Sequence, residues 1–117
     1  MKYTMKAPCA DCPFRTDVKP YLRRGRLREV GRLMVGDGTF TCHKSLREAG
    51  GDGKDMHCAG ALLVVAKQEG TVWASGMLRI ATRLGIATEE YVDHLDATAP
   101  TAPVYASFAA ADRAQPR

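Results

Sequence analysis

Four cysteines constrain this chain more than any other feature, because of how they are spaced. They follow the pattern C-x2-C-x29-C-H-x13-H-C, running from Cys9 and Cys12 through Cys42-His43 to His57-Cys58. A C-x2-C pair lets two sulfurs reach one ion from a tight turn, but two thiolates do not close a tetrahedral site. The remaining ligands must come from distant chain, and Cys42 and Cys58 are the natural completions. A fold built this way has to bring three separate segments to one point. His43 and His57, each directly beside a cysteine, are spare candidates. Neighbouring side chains of an extended segment point to opposite sides, so His43 would replace Cys42 and not join it. The expected ligand set is Cys9, Cys12, Cys42 and Cys58, with His43 as the alternate ligand.

Zinc and a 4Fe-4S cluster both accept four thiolates. Zinc comes first because of its frequency in structural sites; the cluster is the alternative. Four buried core cysteines are the plain competing account, but a C-x2-C pair in a proline-rich, polar loop fits it poorly. Thioredoxin-like thiol chemistry needs an apolar strand before the pair and a helix starting within it. Here Pro8 and Pro13 bracket the pair and no such strand precedes it. The P-C-x-x-C half of a zinc deaminase signature is present, but its upstream H-x-E half is missing. The loop "REAGGDGKDMH" lacks the alternating ligands and closing glutamate of a calcium loop.

At 117 residues the chain reads as one domain, residues 1–117, able to bury a core. No apolar run approaches the ~20 residues that cross a bilayer, and no apolar stretch follows Lys2 and Lys6 to make a secretory signal. The expectation is a cytoplasmic protein with no membrane partner, in which cysteines serve as thiols or ligands. Charge is uneven. Residues 1–50 carry 11 Lys/Arg against 5 Asp/Glu, and residues 51–117 carry 6 against 8. A basic N-terminal half permits an acidic partner without requiring one.

Periodicity predicts helix over residues 21–35, with Leu27, Val30 and Met34 on one face and Leu33 at its margin. Arg24, Arg28 and Arg32 then follow each other at i, i+4, i+8, a stripe that could track a phosphate backbone or meet a partner. Gly36-Asp37-Gly38 is a turn, and the segment around Phe40–Cys42 is β-prone. "CAGALLVVAKQEG" fits a buried helix or a buried strand, and helix is favoured because Ala-Gly-Ala-Leu-Leu opens it and Gly70 can stop it. Ser75 caps a helix whose apolar face is Met77, Ile80, Ala81 and Leu84, ended by Gly85. Thr88 caps the next, with Tyr91, Val92 and Leu95 inward, and Ser107 caps the last. Residues 97–103 read as a linker-like loop. Pro13, Phe14 and Arg15 support the cysteine site. His94 is a surface residue and Trp73 a core residue. No catalytic constellation stands out, so the reading leans away from an enzyme.

"CADCPFRTD", "TFTCHKS", "HCAGALLV" and "APVYASFAAAD" resemble, in that order, a family of small cysteine-rich proteins from actinobacteria and their phages. Its signature looks like C-x2-C-P-[aromatic]-R, F-x-C-H and C-A-G, carried here by Cys9, Cys12, Pro13, Phe14, Arg15, Phe40, Cys42, His43, Cys58, Ala59 and Gly60. The resemblance implies a shared cysteine-centred fold, a phage or prophage origin, and action on a host component. Taken together, the sequence predicts an α+β, mostly α domain with one or two short strands organised around a cysteine metal site. Its function is a zinc-bearing, non-enzymatic binding module for nucleic acid or a host protein. The alternative is an iron–sulfur or thiol redox protein.

Overall fold

The computed structural model describes residues 3, 7–8, 12–36, 38 and 57–116. They are mostly helical. Five α-helices follow in order: α1, Arg26–Val35; α2, Ala59–Glu69; α3, Gly76–Arg83; α4, Glu89–Thr98; and α5, Phe108–Arg113. Short 3-10 turns cover Val72–Ala74 and Ala99–Thr101, so part of the predicted linker over 97–103 is helical. The strand expected near Cys42 and the loop between it and His57 lie outside the described residues. No described helix is long and apolar enough to cross a membrane.

α2 is the centre of the packing and touches α1, α4 and α5. Its sequence explains that position. Every residue from Ala59 to Ala66 is buried, as an all-round apolar surface demands, and only the last turn, from Lys67, is polar. Gly70 ends it with φ 85°, in the left-handed region that residues other than glycine seldom adopt. Lys67, in that last turn, donates to the carbonyls of Ala102 at 2.7 Å and Val104 at 3.1 Å.

The later helices begin where local chemistry sets them. Ser75, Thr88 and Ser107 accept hydrogen bonds from the backbone N–H groups of Leu78, Tyr91 and Ala110. Each satisfies one of the orphan donors of a helix N-terminus. Asp96 of α4 accepts from Val72 N at 2.7 Å and from Thr71 Oγ1 at 3.2 Å, tying α4 to the 3-10 turn after α2.

Two expectations need correction. α1 starts at Arg26, not Tyr21, because Gly25 sits at its N-cap with φ 104°, outside helical geometry. The face of α3 is also different. Leu78 and Ala81 are buried, whereas Ile80 and Leu84 are exposed, Leu84 by 69%. The backbone N–H of Gly76 donates to the Gly36 carbonyl. That contact seats the start of α3 beside the end of α1 and turns the Leu78 stripe inward.

The tail closes the molecule onto the N-terminal loop. Arg15 and Val104 form an antiparallel β-bridge, flanked by Tyr105 N to Phe14 O at 3.1 Å and Thr16 N to Pro103 O at 2.9 Å. α5 lies across α1 at Gly31, where a Cβ would come within 2.6 Å of Phe108 Cβ. The missing side chain lets Phe108 in, and the Phe108 ring meets Phe14 edge-on at 5.7 Å.

Candidate metal centre

Cys58 is the N-cap of α2, with extended backbone angles, and is 3% exposed. Cys12 is fully buried, in the turn closed by Arg15 N donating to Cys12 O at 3.1 Å. Its sulfur lies directly against Gly60, in the first turn of α2. A Cβ at position 60 would overlap Cys12 Sγ and stand 3.4 Å from Phe14 Cβ. Two cysteines far apart in sequence therefore reach the same end of the same helix. That end carries partial positive charge from unpaired N–H groups, which favours thiolate over thiol.

Aromatic rings wall the Cys58 side. Tyr3 stacks on His57 at 5.1 Å with an interplanar angle of 27°, and meets Tyr91 edge-on at 6.5 Å. Burial pushes the His57 imidazole down to about 4, so the ring is neutral at pH 7; its hydrogen bond to the Cys58 carbonyl opposes that shift more weakly. With Nδ1 donating to that carbonyl at 3.2 Å, Nε2 is left as an acceptor, the form in which imidazole binds metals. Burial, and then the charges of Cys58 and Tyr3, raise the Tyr91 phenol above its ordinary value. The Tyr3 hydroxyl is buried with no hydrogen-bond partner among the described residues.

A family model described as a family of unknown function, DUF6283, matches residues 4–117. The chain belongs to DUF6283. Comparison with curated proteins and with solved structures gave no match.

In this DUF6283 chain, Cys9, Cys42 and His43 lie outside the described residues, as does Phe40. Among the described residues no three His, Cys, Asp or Glu side chains form a metal-holding group. Of the four cysteines, Cys12 and Cys58 are the described pair. Pro13 and Phe14 are buried beside them, Phe14 filling the space between Gly60 and Phe108. Arg15 turns outward, and its guanidinium grips Asp17 through two hydrogen bonds of 2.8 and 2.7 Å. That partner holds the Asp17 carboxyl below its ordinary range.

The three arginines do not form one helical row. Arg24 precedes α1, and its guanidinium donates to the carbonyls of Arg113 at 2.8 Å and Gln115 at 3.1 Å, closing the C-terminal end of α5. Arg28 Nε lies 3.9 Å from the buried Asp112 carboxylate, which also accepts from Gly25 N at 2.7 Å. Arg32 is exposed on α1 beside a groove lined by Gly31, Gln68, Glu69 and Phe108.

Two residues of the centre escape a reading of spacing alone. Gly60 had a signal in the C-A-G motif, but its role as the seat for Cys12 is visible only once the loop and helix are together. Tyr3 stands in a short polar segment with no periodicity and gives no local sign that it is buried.

Proposed function

We propose that this chain is a small, non-enzymatic metal-binding module in which Cys9, Cys12, Cys42 and Cys58 hold one structural zinc. One observation carries the reading: Cys12 Sγ is seated on Gly60, two residues beyond the N-cap Cys58, with both cysteines buried. A glycine at that point leaves open the space that the Cys12 sulfur occupies. The donor set fits as well, since both described cysteines are buried at the first turn of α2, where thiolates are favoured. When bound, zinc would supply cross-linking of the N-terminal loop to α2. The residues themselves exclude water, through Phe14, Tyr3 and Tyr91, and favour thiolates through the start of α2.

Metal content and the visible spectrum of protein purified without oxygen test this first. About one zinc per chain and a colourless solution are expected of a closed tetrahedral site. Structural zinc contributes on the order of 10 kcal/mol to folding, so chelation should unfold the chain and Cys12→Ser should be insoluble or molten. A chelated protein that stays folded overturns the reading. The second reading is an iron–sulfur redox protein, since buried cysteine thiolates such as Cys12 and Cys58 serve a cluster as well as they serve zinc. Iron with sulfide and a broad band near ~400 nm would select it.

As a module of phage or actinobacterial type, it would meet nucleic acid or a host protein. All three of the expected arginines are exposed, but Arg24 is bound to the carbonyls of Arg113 and Gln115, which leaves Arg28 and Arg32 on the helix face for such a contact. Binding through phosphate contacts weakens steeply with salt. A mobility-shift titration that is unchanged by Arg28→Ala and Arg32→Ala removes the nucleic-acid version.

A further inference from the structure

The chain's single tryptophan, Trp73, packs against the core without being enclosed by it. It stands half-buried in the 3-10 turn between α2 and α3. There it lines a cleft of about 340 Å³ whose other walls are Arg79, Thr82 and Arg83 of α3 and Glu89, the first residue of α4. Arg79 and Arg83 are both exposed and one helical turn apart, which puts their Cβ atoms roughly 5–6 Å from each other. Arg79 is anchored to the tryptophan, its Nη1 donating to the Trp73 carbonyl at 2.8 Å. Neither guanidinium forms an ion pair among the described residues, although the Glu89 carboxylate lines the same cleft. The arginines near α1 are differently placed: Arg24 is bound to the Arg113 and Gln115 carbonyls, and Arg28 faces Asp112.

We propose that this cleft binds single-stranded nucleic acid, with one unpaired base against Trp73 and successive phosphates on Arg79 and Arg83. Every base offers a π-face to an aromatic ring, whatever its identity, and the planar fork of a guanidinium suits phosphate oxygens. The cleft volume lies at the low end of the range for small-ligand pockets, room for one base and not for a duplex. A base inside a duplex is also covered on both faces by its neighbours, which leaves the single strand as the occupant. Two cations side by side match a backbone that carries one phosphate per nucleotide. Glu89 repels phosphate and so confines the backbone to the two arginines. The site stands apart from the zinc reading and from the arginines of α1.

Because Trp73 is the sole tryptophan, its fluorescence reports on the site directly. The full-length chain, as purified, is titrated with a short oligothymidine strand at several salt concentrations. The expected result is saturable quenching of Trp73, with log affinity falling linearly with log salt. Arg83→Ala, at an exposed position, should keep the far-UV circular dichroism spectrum and lower the salt slope by about 0.7, the share of one single-strand phosphate contact. The same strand without bases should bind at least about 5-fold more weakly, the loss of one stacked base. A strand that does not bind overturns the proposal, and so does one that binds without changing Trp73 fluorescence. In the latter case, binding lost in Arg28→Ala and Arg32→Ala places the contact on α1. An unchanged slope in Arg83→Ala, or a baseless strand bound equally well, also overturns the site. Thymidine monophosphate bound as tightly as the strand makes a free nucleotide the occupant and overturns the strand.

Discussion

Replacing Gly60 by alanine separates two opposing effects at one position. In an unobstructed helix the change stabilises by about 1 kcal/mol, because alanine loses less backbone freedom than glycine. Here the new methyl group occupies space already held by Cys12 Sγ and lies 3.4 Å from Phe14 Cβ. Overpacking of a closed core costs about 1–3 kcal/mol. The net expectation is a loss of about 1 kcal/mol, a fall in melting temperature of roughly 4 °C for a chain of this size. Cys12 has one side-chain torsion with which to escape, and it is fully buried. If the sulfur swings aside, it leaves the end of α2, and under the proposed zinc reading metal content should fall in place of, or along with, stability. Thermal melts of wild type and Gly60→Ala, with metal content measured on the same samples, give the answer. A variant that melts about 4 °C higher and keeps full metal refutes the reasoning, since it means that Cys12 does not rest on Gly60.

Gly31→Ala puts a methyl group within 2.6 Å of Phe108 Cβ and 2.7 Å of Cγ, and should destabilise by about 1–3 kcal/mol in urea unfolding. An unchanged midpoint would mean that α5 does not cross α1 there. Asp112→Ala removes the acceptor of Gly25 N and the partner of Arg28, with an expected loss of about 1–3 kcal/mol. Hydrogen exchange should show the Gly25 amide losing protection first, and retained protection counts against the contact. The Asp17 carboxyl is held low by Arg15. Its folded value lies below its unfolded one, so the pair's contribution is complete above the ordinary carboxylate range and is lost as pH falls through the lowered value. An NMR titration should find the Asp17 midpoint rising in Arg15→Ala, and no change would mean that the pair does not persist in solution.

What could be read from the chain were features whose causes lie within a few residues. Ser75, Thr88 and Ser107 accept their hydrogen bonds from N–H groups three positions on, and Gly70 ends α2 through its own backbone freedom. The buried character of α2 was equally plain, since eight successive apolar residues leave no polar face to turn to water. The start of α1 was harder. The apolar spacing continues through residues 21–25, but the left-handed geometry of Gly25, held by Asp112 from α5, stops the helix there.

The face of α3 was undecidable from periodicity, because this eight-residue helix carries two apolar stripes. Leu78 and Ala81 form one, Ile80 with Leu84 the other. Only the seating of Gly76 against Gly36 selects between them. The arginine stripe failed for the same reason: a spacing of four says where side chains would lie on a helix, not whether Arg24 is on one or is bound to the end of α5.

By itself, the sequence determined where the later helices begin and that the segment of α2 is buried. Tertiary structure alone decided that Cys12 meets the start of α2, that the glycine of C-A-G is the seat of a sulfur, and that Tyr3 is drawn inside. The physical reason is range. Caps and propensities act over one turn of chain, whereas a close approach depends on two surfaces folding to within an atom's width of each other.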